Sequence, residues 1–156
     1  MPAVQTSYPA TMAPGKAGMV ANMTNYDADS LVVESAAIPF GRACSQGTDP
    51  KQVKLGAAAA AGFRGISICD VTLEPGDEDQ YQVGNVANIL NEGDIWVVTG
   101  GDVTAGQDVT FAAATGIMSS AAEGGSQFTI AGARWMTSAL TGGLAIVRLS
   151  GHVPAA

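Results

Sequence analysis

Apolar positions follow two different patterns along this chain, and the change falls near residue 28. Before it, Val4, Tyr8, Met12, Met19, Val20, Met23 and Tyr26 are spaced without a helical or strand period. Pro2, Pro9, Pro14, Gly15 and Gly18 interrupt every regular run there. After it, short apolar runs alternate with turn signals, the pattern of a β-rich domain. The runs are Leu31–Glu34, Ala36–Cys44 broken at Pro39, Gln52–Leu55, Phe63–Val71, Tyr81–Leu90 and Ile95–Thr99. Asp108–Ala112, Phe128–Ala131, Arg134–Ser138 and Leu144–Leu149 complete them. Gln46-Gly47-Thr48-Asp49-Pro50, Glu74-Pro75-Gly76-Asp77 and Thr141-Gly142-Gly143 read as turns. Asn91-Glu92-Gly93-Asp94 reads as the turn of a hairpin, with Trp96 on the returning strand. The expectation is an extended N-terminal arm over residues 1–27 and one β-rich domain over 28–156, all-β, a sandwich or barrel.

Two stretches modify this outline. Ile38-Pro39-Phe40-Gly41 must bend, because proline cannot donate a ladder hydrogen bond and glycine allows a sharp turn. Pro39 therefore belongs at an edge or a bulge. The alanine run between Gly56 and Gly62 has helix-forming residues but is too short for a stable helix, so a single turn or surface loop is expected.

Composition narrows the partners. The charged fraction is 13%, half the ~25% usual in soluble proteins, and glycine is abundant at 20 residues. Much of the surface is then uncharged and flat, which suits burial against another protein. Net charge is −7 and the seven basic residues are scattered, so no phosphate-binding footprint forms and nucleic acid is not an expected partner. The longest apolar stretch, Leu55–Phe63, falls far short of the ~20 residues of a membrane-spanning helix, and no membrane partner is expected. No basic stretch leading into an apolar core opens the chain, so no signal peptide is expected.

Groups suited to chemistry are sparse. His152 is the sole histidine, four residues from the C-terminus, where an orienting partner and a dry pocket are not expected. Gly124-Gly125-Ser126 lacks the GxSxG nucleophile pattern. Glu74, Asp77, Glu78 and Asp79 cluster without the ligand spacing of a calcium loop and read as a solvated acidic turn, a subunit-bridging cation there being the weaker alternative. Cys44 and Cys69 sit in apolar runs and read as buried thiols; their pairing cannot be read from spacing. No enzyme activity, metal or cofactor is expected. Trp96 and Trp135, with Asn85 and Asn88, are the residues a glycan-binding face would use.

The arm, the segment VESAAIPFGRACSQGTD, the later FRGISICD and the terminal GGLAIVRLSG together resemble the cement (decoration) proteins of tailed-bacteriophage capsids, in pieces from Pro14 to Gly151. The resemblance implies a jelly-roll-like β protein that binds outside the assembled shell and stabilises contacts between major capsid subunits. It implies trimers at three-fold positions or dimers at two-fold ones, the trimer being preferred here. It also implies synthesis in the host bacterial cytoplasm and residence on the outer capsid surface. Tyr8, Met12, Met19 and Tyr26 of the arm, Pro39 and Phe40 at the kink, and Arg134 with Trp135 are the expected capsid or subunit contacts. The alternative is a glycan- or host-surface-binding β module displayed on a particle.

Overall fold

A computed structural model of the chain describes residues 14–59, 62–73 and 79–150. Among them lie β1 (Val20–Val33), β2 (Ile38–Pro39), β3 (Ala43–Gln46), β4 (Gln52–Leu55), β5 (Phe63–Ser67) and β6 (Gln80–Tyr81). Then follow β7 (Val86–Val98), β8 (Asp108–Ala112), β9 (Met118–Ser119), β10 (Gln127–Trp135) and β11 (Leu144–Leu149). No α-helix occurs among the described residues, so the all-β expectation holds.

One sheet carries nine of these strands in the order β1-β4-β3-β5-β7-β11-β10-β8-β9. Because β1 also pairs with β7, the strands β1, β4, β3, β5 and β7 close on themselves as a barrel. The remaining strands extend from β7 and curl back, since Thr99 at its end bridges Met118. The 13-residue β7 is thus common to both halves. Two cores form, and barrel strands feed both: β3 supplies Cys44 to the smaller and Ala43 to the larger. Leu31, Val33, Ile38, Phe40, Cys44, Val53, Tyr81, Ala87 and Ile89 fill the smaller one. The larger is built around Phe63, Leu90, Ile95, Phe111, Met118, Ile130 and Trp135. Each fully buried large apolar side chain adds about 1.5–3 kcal/mol, so both cores are substantial.

The kink behaves as its residues require. Pro39 sits in the two-residue β2, paired only with β6, where its missing N–H removes no long ladder. Gly41 then takes φ +71°, and a Cβ there would lie 2.9 Å from the Gly18 nitrogen. Gly18, at φ +80°, is equally tight against the Cys69 nitrogen. Two chain segments pass backbone to backbone at this point, which only glycine permits.

The hairpin expected at Asn91-Glu92-Gly93-Asp94 does not form; these residues lie inside the continuous β7. Turn composition is overridden because partners exist on both flanks: Glu92 pairs with Asp27, Asp94 with Asn22 and Arg148, and Gly93 with Leu149. Gly93 serves instead as a bend within the strand, at φ +129°. Similarly, Phe128–Ala131 and the first two residues of Arg134–Ser138 merge into β10, which bulges at Gly132, φ +76°; Met136–Ser138 lie beyond its end. At the N-terminus, strand pairing begins at Val20, opposite Ile95, so the division placed after Asp27 falls inside β1. Pro14–Met19 is also tied down: Gly18 donates to the Trp96 carbonyl (2.8 Å) and Trp96 to that of Met19 (2.9 Å).

Candidate interaction surface

The outward side of β7 and its neighbours carries apolar residues that no core uses. Ile95 and Val97 point into the larger core, so Trp96 and Val98 point out. Ile146 lies opposite Trp96 and Leu144 opposite Val98. Met136 donates its N–H to the Ile146 carbonyl (2.8 Å), and Gly18 and Met19 together face Trp96 on the other flank. Met19, Trp96, Ile146 and Met136 therefore form one apolar row across the sheet. Leu140, 76% exposed, stands beyond it in the turn before β11. Gly15 packs on the indole of Trp96, where an added Cβ would come within 2.7 Å of the ring.

Beside this row β1 leaves the ladder. Five steps along β1, from Asn22 to Asp27, span only two along β7, from Asp94 to Glu92. The surplus residues loop out as a bulge. Its shape is fixed locally: Thr24 donates its N–H to the Asn22 Oδ1 (2.9 Å), and Asn25 adopts φ +54°. Asparagine tolerates that left-handed region better than most residues. The bulge leaves Met23 and Tyr26 73% and 42% exposed. Beneath it is a polar cavity of about 330 Å³, lined in part by Asn22, Asn25, Glu92, Asp94 and Arg148. Arg148 closes a two-pronged ion pair there on Asp94, Nε to Oδ1 at 2.7 Å and the second nitrogen to Oδ2 at 2.8 Å. The buried carboxylate holds the Arg148 guanidinium further up in pKa.

The expected contact residues divide among several environments. Tyr8 and Met12 lie outside the described residues. Met19 and Tyr26 are exposed on the row and the bulge. Pro39 is half-buried and Phe40 is buried, its ring edge-on to Tyr81 at 5.2 Å. Arg134 is exposed and paired with Asp108 (2.9 Å). Trp135 is fully buried, with its indole N–H on the Ser119 carbonyl (3.2 Å), so its side chain packs the core and offers no outer surface. The two tryptophans thus form no shared stacking platform. Sequence reasoning left Ile146, Met136 and Leu140 unremarked, because only the register of β10, β11 and β7 aligns them.

Other chemistry-bearing groups have structural partners. Lys16 reaches Asp79 (2.6 Å) and lies 5.7 Å from the centre of the Phe40 ring. Glu74, Asp77 and Glu78 lie outside the described residues, as does His152. Among the described residues no cluster of side chains suited to a metal occurs. Cys44 and Cys69 are free thiols; burial pushes the Cys44 thiol up to about 12.

The sequence pattern of the structural cement protein family (E217 gp24/Pam3 gp6) matches residues 4–150. The chain belongs to this phage cement family. The cement protein is therefore a structural, capsid-binding component of a phage virion. Its fold is similar to a chain of the capsid of Myoviridae phage XM1, at TM-score 0.77 and 17% identity, covering 95% of the cement protein and 98% of that chain. It is also similar to the base of the head fibre gp8.5 of bacteriophage phi29, at TM-score 0.53 and 10% identity, covering 83% and 99%. Comparison with curated proteins gives no match.

Proposed function

We propose that this cement protein sits on the outer surface of an assembled capsid and locks neighbouring major capsid subunits together, as a homotrimer. The observation that carries the reading is the apolar row Met19–Trp96–Ile146–Met136, which belongs to neither core of the described residues. A soluble monomer gains nothing from such a row, whereas an interface gains from each aromatic and methionine it buries. Low charge on the chain favours the same use.

The mechanism is mass action. A protein that binds the closed shell and not its separated subunits shifts the equilibrium toward the shell. Each contact can be weak, because a trimer touching several capsomers gains effective concentration with the second and third contacts. This role needs shape and surface and no catalysis. Synthesis in the bacterial host cytoplasm places the protein where heads assemble. Electron microscopy of the purified protein mixed with undecorated heads tests the reading. Added density on the outer lattice at three-fold positions is expected; density at two-fold positions would replace the trimer with a dimer, and bare heads at saturating protein would overturn the assignment.

A further inference from the structure

The Asn22–Asp27 bulge has the features of a preformed plug. It projects from the sheet, it is held by its own hydrogen bond and by the left-handed Asn25, and it turns two large apolar side chains into solvent. Among the described residues neither Met23 nor Tyr26 belongs to a core cluster, so neither repays its exposure there. The bulge also rests on a fixed floor. Gly93 lies directly below it, and a Cβ there would stand 3.4 Å from the Asn25 carbonyl oxygen. A rigid element loses little conformational entropy on docking.

Its base carries a charge that no ion pair among the described residues answers. Asp27 and Glu92 lie directly opposite each other on adjacent strands. Like charges in that position are destabilising. Among the described residues the nearby cations are engaged elsewhere, Arg64 with Asp29 (2.6 Å) and Arg148 with Asp94.

We infer that this bulge is the docking knob of the protein: Met23 and Tyr26 enter an apolar pocket of the shell protein, and a lysine or arginine on the pocket rim meets Asp27 and Glu92. The inference rests on the capsid-binding reading above and deepens it by naming the element and the partner's chemistry. Aromatic and methionine anchors surrounded by polar groups fit the usual make-up of an interface centre.

The test uses the full chain and undecorated heads, with binding read by co-sedimentation over a salt series and folding by thermal melting. Met23→Ser/Tyr26→Ser should melt like wild type and bind heads at least tenfold more weakly; Met23→Ser alone should show part of that loss. Asp27→Asn/Glu92→Gln should melt at or above the wild-type temperature and bind with a flatter salt dependence. Val71→Ser, at a residue 87% exposed, serves as a control and should bind as wild type. Wild-type affinity in the Met23/Tyr26 double variant, while wild type decorates heads, would overturn the knob and leave the capsid reading standing. A changed oligomeric state with unchanged head binding would assign the bulge to contact between copies and also overturn it. Wild type failing to bind heads would remove both readings.

Discussion

Phe40 shows how one side chain can join several parts of this fold. Its ring packs edge-on against Tyr81, Lys16 lies over it, and the backbone on either side is pinned by Pro39 and Gly41. Phe40→Ala should cost about 3–5 kcal/mol, read as a lower thermal midpoint, because the smaller core has no spare residue to fill the void. Tyr81 and Cys44 of the same core make stability depend on alkaline pH. Burial raises the Tyr81 hydroxyl from 10.0 to about 12, while that hydroxyl donates to the Ile68 carbonyl at 2.6 Å. Burial likewise raises the Cys44 thiol from 9.0 to about 12. Both are neutral when protonated, and the folded state holds those protons more tightly than the unfolded chain. Their contribution is therefore complete below pH 9, erodes above the unfolded values, and is gone once pH passes about 12. Melting temperature measured from pH 8 to 12 should fall across that window. In Cys44→Ala the fall should be shallower, with the remainder assigned to Tyr81.

At the level of elements, the strands beyond β1 were largely legible, because alternation and turn residues act over a few positions. Gln52–Leu55 and Leu144–Leu149 appear as the pattern indicates, and Pro39 breaks its run where expected. What failed was the reading of turns that tertiary partners override. Asn91-Glu92-Gly93-Asp94 has turn composition, yet strands on both sides hold it extended. The start of β1 was missed for the converse reason: Val20 and Asn22 are recruited by Ile95 and Asp94, more than seventy positions away, and nothing local announces it. That difference bears on truncation. Removing residues 2–25 should lower the melting temperature, since it deletes the Val20 and Asn22 pairings and the Gly18 and Met19 bonds to Trp96. Removing only residues 2–13 leaves those pairings and bonds in the chain and serves as the reference truncation. If the arm also contacts the shell, head binding should still weaken at least tenfold, or about 1.4 kcal/mol. Equal melting of the two truncations would contradict the structural role of β1's first half.

As a whole molecule, the protein is two cores that share strands, β3 and β7 among them, so neither core can open without disturbing the other. A single cooperative melting transition is expected. It should be the same with and without reducing agent, because Cys44 and Cys69 are free thiols; a lower midpoint under reduction would show a disulfide instead. The exposed apolar surface was less legible than the fold. Met19 and Tyr26 are exposed in a stretch whose apolar residues lack a regular period, but Trp135 could not be told from Trp96 without the register. That same contrast gives the molecule a built-in optical gauge. Trp135, sealed inside, supplies a constant blue fluorescence, while Trp96 keeps part of its indole at the surface. Anything that covers the row should shift only the second emission, so capsid occupancy can be titrated without a label, and a Trp96→Phe variant should be silent in the same titration.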